Sequence, residues 1–121
     1  MNIKQKPLHW MGSSKKDLKA LPAEVQDTFG HALNMAQDGM KFDGVKPLRG
    51  FGGASVLEVI EDFNSDTYRA VYTVKFKDAV YVLHCFQKKS TKGSETPKPD
   101  MDLIHERFKA AAAMHAEGEK K

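Results

Sequence analysis

Three consecutive β-strand patterns between residues 55 and 86 constrain the fold more than any other feature of the sequence. They read SVLEVIE at residues 55–61, TYRAVYTVKF at residues 67–76 and AVYVLHCF at residues 79–86. The connections between them are only a few residues long, and such connections join antiparallel neighbours rather than parallel ones. The sequence therefore predicts a three-stranded antiparallel sheet at the centre of the fold.

Side chains alternate along the middle strand, so its two faces are predicted to differ. One face carries residues suited to a core, namely Tyr68, Ala70, Tyr72, Val74 and Phe76. The other face carries Arg69 among residues of mixed polarity. The same count along the last strand places His84 on the face of Val80 and Val82.

Helical patterns lie on both sides of the sheet segment. An extended stretch at residues 3–10 precedes a short helix, which Ser13 or Ser14 can cap, and a second helix that runs to about Gln37. The second helix has an apolar stripe of Val25, Phe29, Leu33 and Ala36. A final helix begins near Asp100, and its stripe contains Met101, Ile104, Phe108 and Ala111.

The predicted order of elements is β-α-α-β-β-β-α, with a glycine-rich loop at residues 40–54 before the sheet. This order is typical of an α+β domain in which a helical hairpin and a C-terminal helix pack on a small antiparallel sheet. The 121 residues suffice for one such domain, which we place at residues 1–115, with residues 116–121 as a frayed tail. Six residues are expected to be buried together: Phe29, Leu33, Tyr72, Val74, Val82 and Ile104.

Composition narrows the class of protein. Hydrophobic residues make up 40% of the chain and charged residues 29%, which excludes a disordered tail, and no apolar run approaches the ~20 residues that span a bilayer. No secretory signal opens the chain, and Cys85 is the one cysteine, which excludes an internal disulfide and a cysteine-based zinc cluster. We therefore expect a cytoplasmic protein without membrane contact.

The net charge is only +3, but the basic residues are unevenly distributed. Between residues 86 and 98 one acid, Glu95, stands against four lysines, Lys88, Lys89, Lys92 and Lys98. Such a run is either a solvated loop or a patch that binds phosphates, and the charge pattern by itself favours the solvated loop.

Four segments resemble the RelE/ParE toxin superfamily of bacterial toxin–antitoxin systems, and within it the phage-derived, HigB-like branch. They are PLHWMGSSKKDLKALPAEVQ, KPLRGFGGASVLEV, TYRAVYTV and VLHCFQKKSTKGSETPKPDMDLIHERFK. The resemblance covers residues 5 to about 110. It implies a small cytoplasmic toxin that cleaves mRNA as an endoribonuclease, often on the ribosome, and thereby inhibits translation. It also implies that no metal or other cofactor is needed, and that a cognate helix-turn-helix antitoxin neutralises the toxin in a hetero-oligomer.

The resemblance assigns catalysis to Arg69, His84 and the strand-end lysines Lys88 and Lys89. A guanidinium can stabilise the charge that develops on a phosphate, and a histidine can act as acid or base near neutral pH. The alternative for Arg69 is a solvated strand arginine paired with Glu58 or Glu61. The alternative for His84 is a packed core histidine, and the residues leave that choice open.

RNA contacts outside the reacting centre are expected from five further residues. Lysine and arginine side chains can hold backbone phosphates, and an aromatic ring can stack on an exposed base. These residues are Lys46, Arg49, Phe86, Lys92 and Lys98. On propensity alone, Phe86 is a core residue.

One position departs from the family pattern. Many HigB-like sequences carry a basic residue two positions after the acid of the first sheet strand, and here Ile60 follows Glu58 at that spacing. Two alternatives remain, because the ParE side of the superfamily has the same fold and because Ile60 leaves less positive charge on the sheet. One is a ParE-like inhibitor of DNA gyrase without nuclease activity, and the other is an inactive remnant derived from a phage.

Overall fold

The computed structural model describes residues 5–88 and 96–119, which contain three helices and a mixed sheet. The elements follow one another as β1 (Leu8–Trp10), α1 (Ser14–Lys19), α2 (Ala23–Gln37), β2 (Lys46–Pro47), β3 (Val56–Phe63), β4 (Asp66–Thr73), β5 (Val80–Lys88) and α3 (Lys98–Glu119). The predicted α+β class is confirmed. The last helix continues to Glu119, beyond residue 116, where the predicted tail begins.

The strands lie in the order β1-β5-β4-β3-β2. β3, β4 and β5 form the predicted antiparallel meander. The hairpin between β3 and β4 turns at Asn64 and Ser65, whose φ values of 51° and 71° match the twist of the flanking strands in a two-residue turn. The local turn residues thus set the register of the central hairpin.

Both outer strands differ from the prediction. β1 pairs with β5 in parallel, with Leu8 opposite Val80 and Trp10 opposite Val82, so the expectation of a wholly antiparallel sheet is wrong at this edge. β2 is a two-residue strand inside the predicted glycine-rich loop, and it pairs with Glu58 and Leu57 of β3. Neither pairing could be predicted from a local sequence pattern. The first joins residues about seventy positions apart, and the second involves a strand too short to show alternating polarity.

The sheet buries apolar side chains on both faces. The face covered by α1 and α2 contains the side chains of Leu18, Val25, Phe29, Leu33, Val59, Tyr68, Ala70, Tyr72, Val80, Val82 and Cys85, among others. The face covered by α3 contains those of Leu48, Val56, Val71, Phe76, Tyr81, Leu83, Phe86, Ile104 and Ala111, among others. The helical hairpin and the C-terminal helix therefore lie on opposite faces of the sheet.

This division corrects the predicted core. Phe29, Leu33, Tyr72 and Val82 are buried together as expected, but Ile104 belongs to the opposite face. Val74 is only half-buried at the edge of the hairpin side. β4 ends at Thr73, so the alternation stops there and Phe76 packs on the α3 side.

Candidate active site

Four strands each contribute one residue to a row across the sheet. Directly opposite one another lie Lys46 of β2, Glu58 of β3, Val71 of β4 and His84 of β5. The next row contains Ile60, Arg69 and Phe86, and Lys88 lies opposite Thr67 one row further on. Opposed residues project from the same face of a sheet, so these side chains share the face covered by α3.

Arg69 is buried on this face rather than solvated. Its side chain is 2% exposed, and Nη1 donates hydrogen bonds to Glu58 Oε2 and Thr96 Oγ1, each at 3.1 Å. Thr96 lies just before α3, so Arg69 joins β3, β4 and the start of that helix. The alternative interpretation of Arg69, a solvated arginine paired with Glu58 or Glu61, included the correct partner, Glu58. It was wrong about the environment, because the pair is buried.

Glu58 is the buried carboxylate of the site. Burial raises its pKa above the usual value, and the positive charges of Arg69, Lys46 and Lys88 oppose that rise. Its side chain is 6% exposed. A carboxylate with a raised pKa is a stronger base than a solvated one, and here it lies among three cations.

His84 is held by the first turn of α3. Its Nε2 lies 2.8 Å from Oδ1 of Asp100, and its ring stacks on that of Phe86 with centroids 4.3 Å apart. Burial lowers the pKa of His84, whereas Asp100 acts in the opposite direction. His84 Nδ1 is buried, and no described residue forms a hydrogen bond with it. The neutral ring thus donates from Nε2 to the carboxylate and keeps Nδ1 as its unprotonated nitrogen.

A β-bulge overturns the predicted facing of the last strand. Val71 lies opposite His84 but Tyr72 lies opposite Val82, so Leu83 is the extra residue. The backbone oxygen of Leu83 accepts a hydrogen bond from Arg107 Nη1 at 2.9 Å. Because of the extra residue, His84 lies on the face of Arg69 instead of the face of Val80 and Val82.

A cleft of about 420 Å³ opens beside the buried pair. Its walls come from β2 and the loop after it, from Glu58, and from the start of α3, and they comprise Lys46, Pro47, Leu48, Arg49, Glu58, Thr96 and Met101. Lys46 and Arg49 are exposed at its rim. The cleft is therefore basic at the rim, with one carboxylate in its wall.

The remaining predicted site residues fall into three groups. Lys88 is buried near Glu58, and its positive charge opposes the rise in the pKa of Glu58. Phe86 is buried against His84. Lys98 is exposed and pairs with Asp102 one helical turn along, at 3.1 Å. Lys89 and Lys92 lie outside the described residues.

Three residues of the site received no catalytic or RNA-binding role from the sequence: Glu58, Thr96 and Asp100. The signal for Glu58 was a single acid within the apolar run VLEVI, an arrangement that buries a charge if the strand is central. Thr96 and Asp100 reach the site only through the position of α3, which no local pattern specifies.

Other reactive chemistry finds no support in the described part of the chain. Burial raises the pKa of the Cys85 thiol to about 12, so the residue packs as an apolar side chain. Within residues 5–88 and 96–119, no three His, Cys, Asp or Glu side chains are grouped so that they could hold a metal ion. None of the helices described there is long and apolar enough to cross a membrane.

Comparison with solved structures identifies the fold. A mutant of the Escherichia coli toxin RelE in the free state matches with a TM-score of 0.57 and 18% identity, over 88% of this chain and 98% of that one. The toxin–antitoxin complex RelBE2 of Mycobacterium tuberculosis matches with a TM-score of 0.49 and 16% identity, over 74% of this chain and 98% of that one. The RelE match shows a shared fold, as the sequence resemblance predicted.

Sequence comparison identifies the family. No curated protein matches the chain significantly. A family described as phage-derived protein Gp49-like matches residues 16–109, which include α2, the whole β3–β5 meander and the first half of α3. The matched region contains every residue of the cleft and of the rows across the sheet, and the chain belongs to this phage-derived Gp49-like family.

Proposed function

We propose that the protein is the toxin of a toxin–antitoxin module and acts as a metal-independent endoribonuclease on mRNA, thereby inhibiting translation. The single observation that carries the proposal is the buried Glu58–Arg69 pair beside a basic cleft, with Glu58 in the wall of that cleft. Burying a charged pair costs free energy that an apolar pair would not. Membership of a phage-derived family and the RelE-like fold also support the proposal that the protein is a toxin.

The cations supply electrostatic stabilisation. A phosphodiester in the cleft would gain negative charge as the ribose 2′ oxygen attacks the adjacent phosphorus. Arg69 and Lys88 both lie near Glu58, and they are proposed to stabilise that charge. Arg69 Nη1 donates a hydrogen bond to the Thr96 hydroxyl, and we propose that a phosphate oxygen of the substrate takes the place of this hydroxyl. Lys89, which follows Lys88, is proposed for a neighbouring phosphate, and Lys46, Arg49, Lys92 and Lys98 for the RNA backbone.

Proton transfer is assigned to Glu58 and His84. They lie in one row across the sheet, two strands apart. At the usual spacing between strands, the backbones of Glu58 and His84 are about 10 Å apart. Glu58 accepts the 2′ hydroxyl proton as the bond from O2′ to phosphorus forms. Protonated His84 donates from Nδ1 to the 5′ oxygen as its bond to phosphorus breaks, while Asp100 stabilises the imidazolium. The products are a 2′,3′-cyclic phosphate and a free 5′ hydroxyl.

A toxic nuclease requires a partner that holds it inactive. We propose a cognate helix-turn-helix antitoxin whose acidic residues meet the rim of the cleft, because Lys46 and Arg49 are both exposed there. The mRNA substrate is proposed to be cut while it is bound to the ribosome.

Expression in a cell-free translation system, followed by mapping of RNA ends, tests this function. The wild-type protein is expected to stop translation and to leave new mRNA 5′ ends, whereas Arg69→Ala is expected to leave translation intact. Inhibition of supercoiling by purified gyrase, without new RNA ends, would instead identify the ParE-like alternative. Inertness in both assays would identify an inactive remnant.

A further inference from the structure

The loop between β2 and β3 presents an aromatic ring next to the cleft. Phe51 follows Arg49 and Gly50 and is followed by Gly52 and Gly53. Its ring stacks on that of His105 in α3, with centroids 4.2 Å apart and planes inclined by 18°. Phe108 also contacts the Phe51 ring in a T-shaped arrangement, with centroids 5.4 Å apart and planes inclined by 78°. Phe51 is thus held in one orientation by two side chains of α3.

The backbone of this loop favours glycine at position 50 and lies close to α3. Gly50 has φ +100°, and a Cβ added there would lie 2.9 Å from the terminal methyl of Met101. Met101 lines the cleft, so the loop rests directly on its wall. The Phe51–His105 pair therefore continues the cleft along α3.

The other side of the loop is open. A Cβ added at Gly52 or Gly53 would find no atom within 4 Å, and both glycines are exposed. Phe51 and His105 are each only half-buried. The rim beside them carries the exposed cation Arg49. Proteins that bind single-stranded nucleic acids stack the bases on accessible aromatic rings and hold the backbone with neighbouring cations. This loop offers both features.

We propose that Phe51 and His105 form a stacking platform for one unpaired base of single-stranded RNA, adjacent to the nucleotide whose phosphate occupies the cleft. This inference rests on the proposed function, since it names the conformation in which that substrate is held. A base within a duplex keeps its own stacking partners and cannot use the platform. The platform therefore selects unpaired RNA, with little preference for sequence, because every base has an aromatic face.

Binding of a non-cleavable RNA tests the platform without requiring cleavage. The probes are a fluorescent 2′-O-methyl RNA octamer of mixed sequence and the same octamer with abasic sites at its central positions, compared by anisotropy. The wild-type protein is expected to bind the complete octamer about 5- to 100-fold more tightly than the abasic one. Phe51→Leu is expected to bind both at the abasic level, with an unchanged salt dependence because no phosphate contact is lost.

Phe63→Leu is the matched control, because Phe63 is another half-buried ring but packs on the hairpin side of the sheet. Phe51→Trp is expected to keep the preference for the complete octamer, which covers the case in which Phe51→Leu fails to fold. Equal wild-type binding of both octamers, or a preference that survives in Phe51→Leu, would overturn the inference. Base-dependent binding without cleavage would contradict only the nuclease, and cleavage with base-independent binding only the platform.

Discussion

The two faces of the sheet bury different kinds of side chain. The face toward α1 and α2 is filled by aliphatic and aromatic residues, including Phe29, which is fully buried. The face toward α3 has an apolar cluster as well, but it also carries the buried side chains of Glu58, Arg69, His84 and Lys88. Apolar burial stabilises a fold, whereas a buried ion pair contributes little or nothing compared with apolar residues of similar size. The hairpin face therefore stabilises the domain, whereas the α3 face carries buried charges that lower its stability and that the proposed function would use.

The largest effect is expected on the hairpin face. Phe29→Ala removes a fully buried ring and should lower the free energy of unfolding by ~3–5 kcal/mol, as measured by denaturant titration. RNA cleavage per folded molecule should be unchanged, because Phe29 has no contact with the site across the sheet. A loss of cleavage beyond the loss of folded protein would show that the two faces are not separable.

Arg69→Ala is expected to lower the rate of RNA cleavage ~10²–10³-fold, because the charge that Arg69 meets grows only in the transition state. It should also destabilise the fold by ~3–5 kcal/mol, since Glu58 then stays buried without its nearest counter-charge. Denaturant titration and single-turnover cleavage measure the two effects.

The double variant Glu58→Leu/Arg69→Met separates those effects. An apolar pair in the same space should restore or raise the free energy of unfolding, while cleavage stays absent. Cleavage at the wild-type rate in either variant would remove the nuclease assignment and favour a binding function for the basic cleft.

The pH dependence of cleavage sharpens the roles of Glu58 and His84. Cleavage should rise as pH rises through the raised pKa of Glu58, above its usual 4.5, because the base must be ionised. It should fall as pH rises through the lowered pKa of His84, below its usual 6.5, because the acid must be protonated. The maximum is therefore expected between the pKa of Glu58 and the pKa of His84.

His84→Gln should remove the alkaline limb of this profile and lower the maximal rate ~10²-fold. Because the folded-state pKa of His84 is lowered, the wild-type protein should also lose stability as pH falls through that pKa, and the variant should not. A variant that is merely less stable, with its pH profile intact, would make His84 a packing residue.

The fold was predictable where the signal is local, and the site only in part. Hydrophobic periodicity specified α2 and the meander, and short connections specified their antiparallel pairing. The position of α3 and the bulge at Leu83 depend on contacts distant in sequence, such as the hydrogen bond from Arg107 to Leu83. The sequence could therefore name His84 as a candidate acid or base, but it placed His84 on the wrong face. Its partner Asp100 was interpreted only as a residue at the start of the helix.

The smallest effect is expected at the exposed rim of the α3 face, where charge is solvated instead of buried. Lys46→Ala should weaken binding of the non-cleavable RNA only about 2- to 5-fold, because an exposed charge contributes roughly 0.2–1 kcal/mol. The slope of log affinity against log salt should fall by about 0.7, the value for one phosphate contact on a single strand. Lys41→Ala is the matched control, since Lys41 is exposed a few residues before Lys46 but does not line the cleft. An equal change of slope in both variants would mean that RNA binding depends only on the net charge of the protein. An unchanged slope in Lys46→Ala would mean that the RNA backbone does not contact this rim.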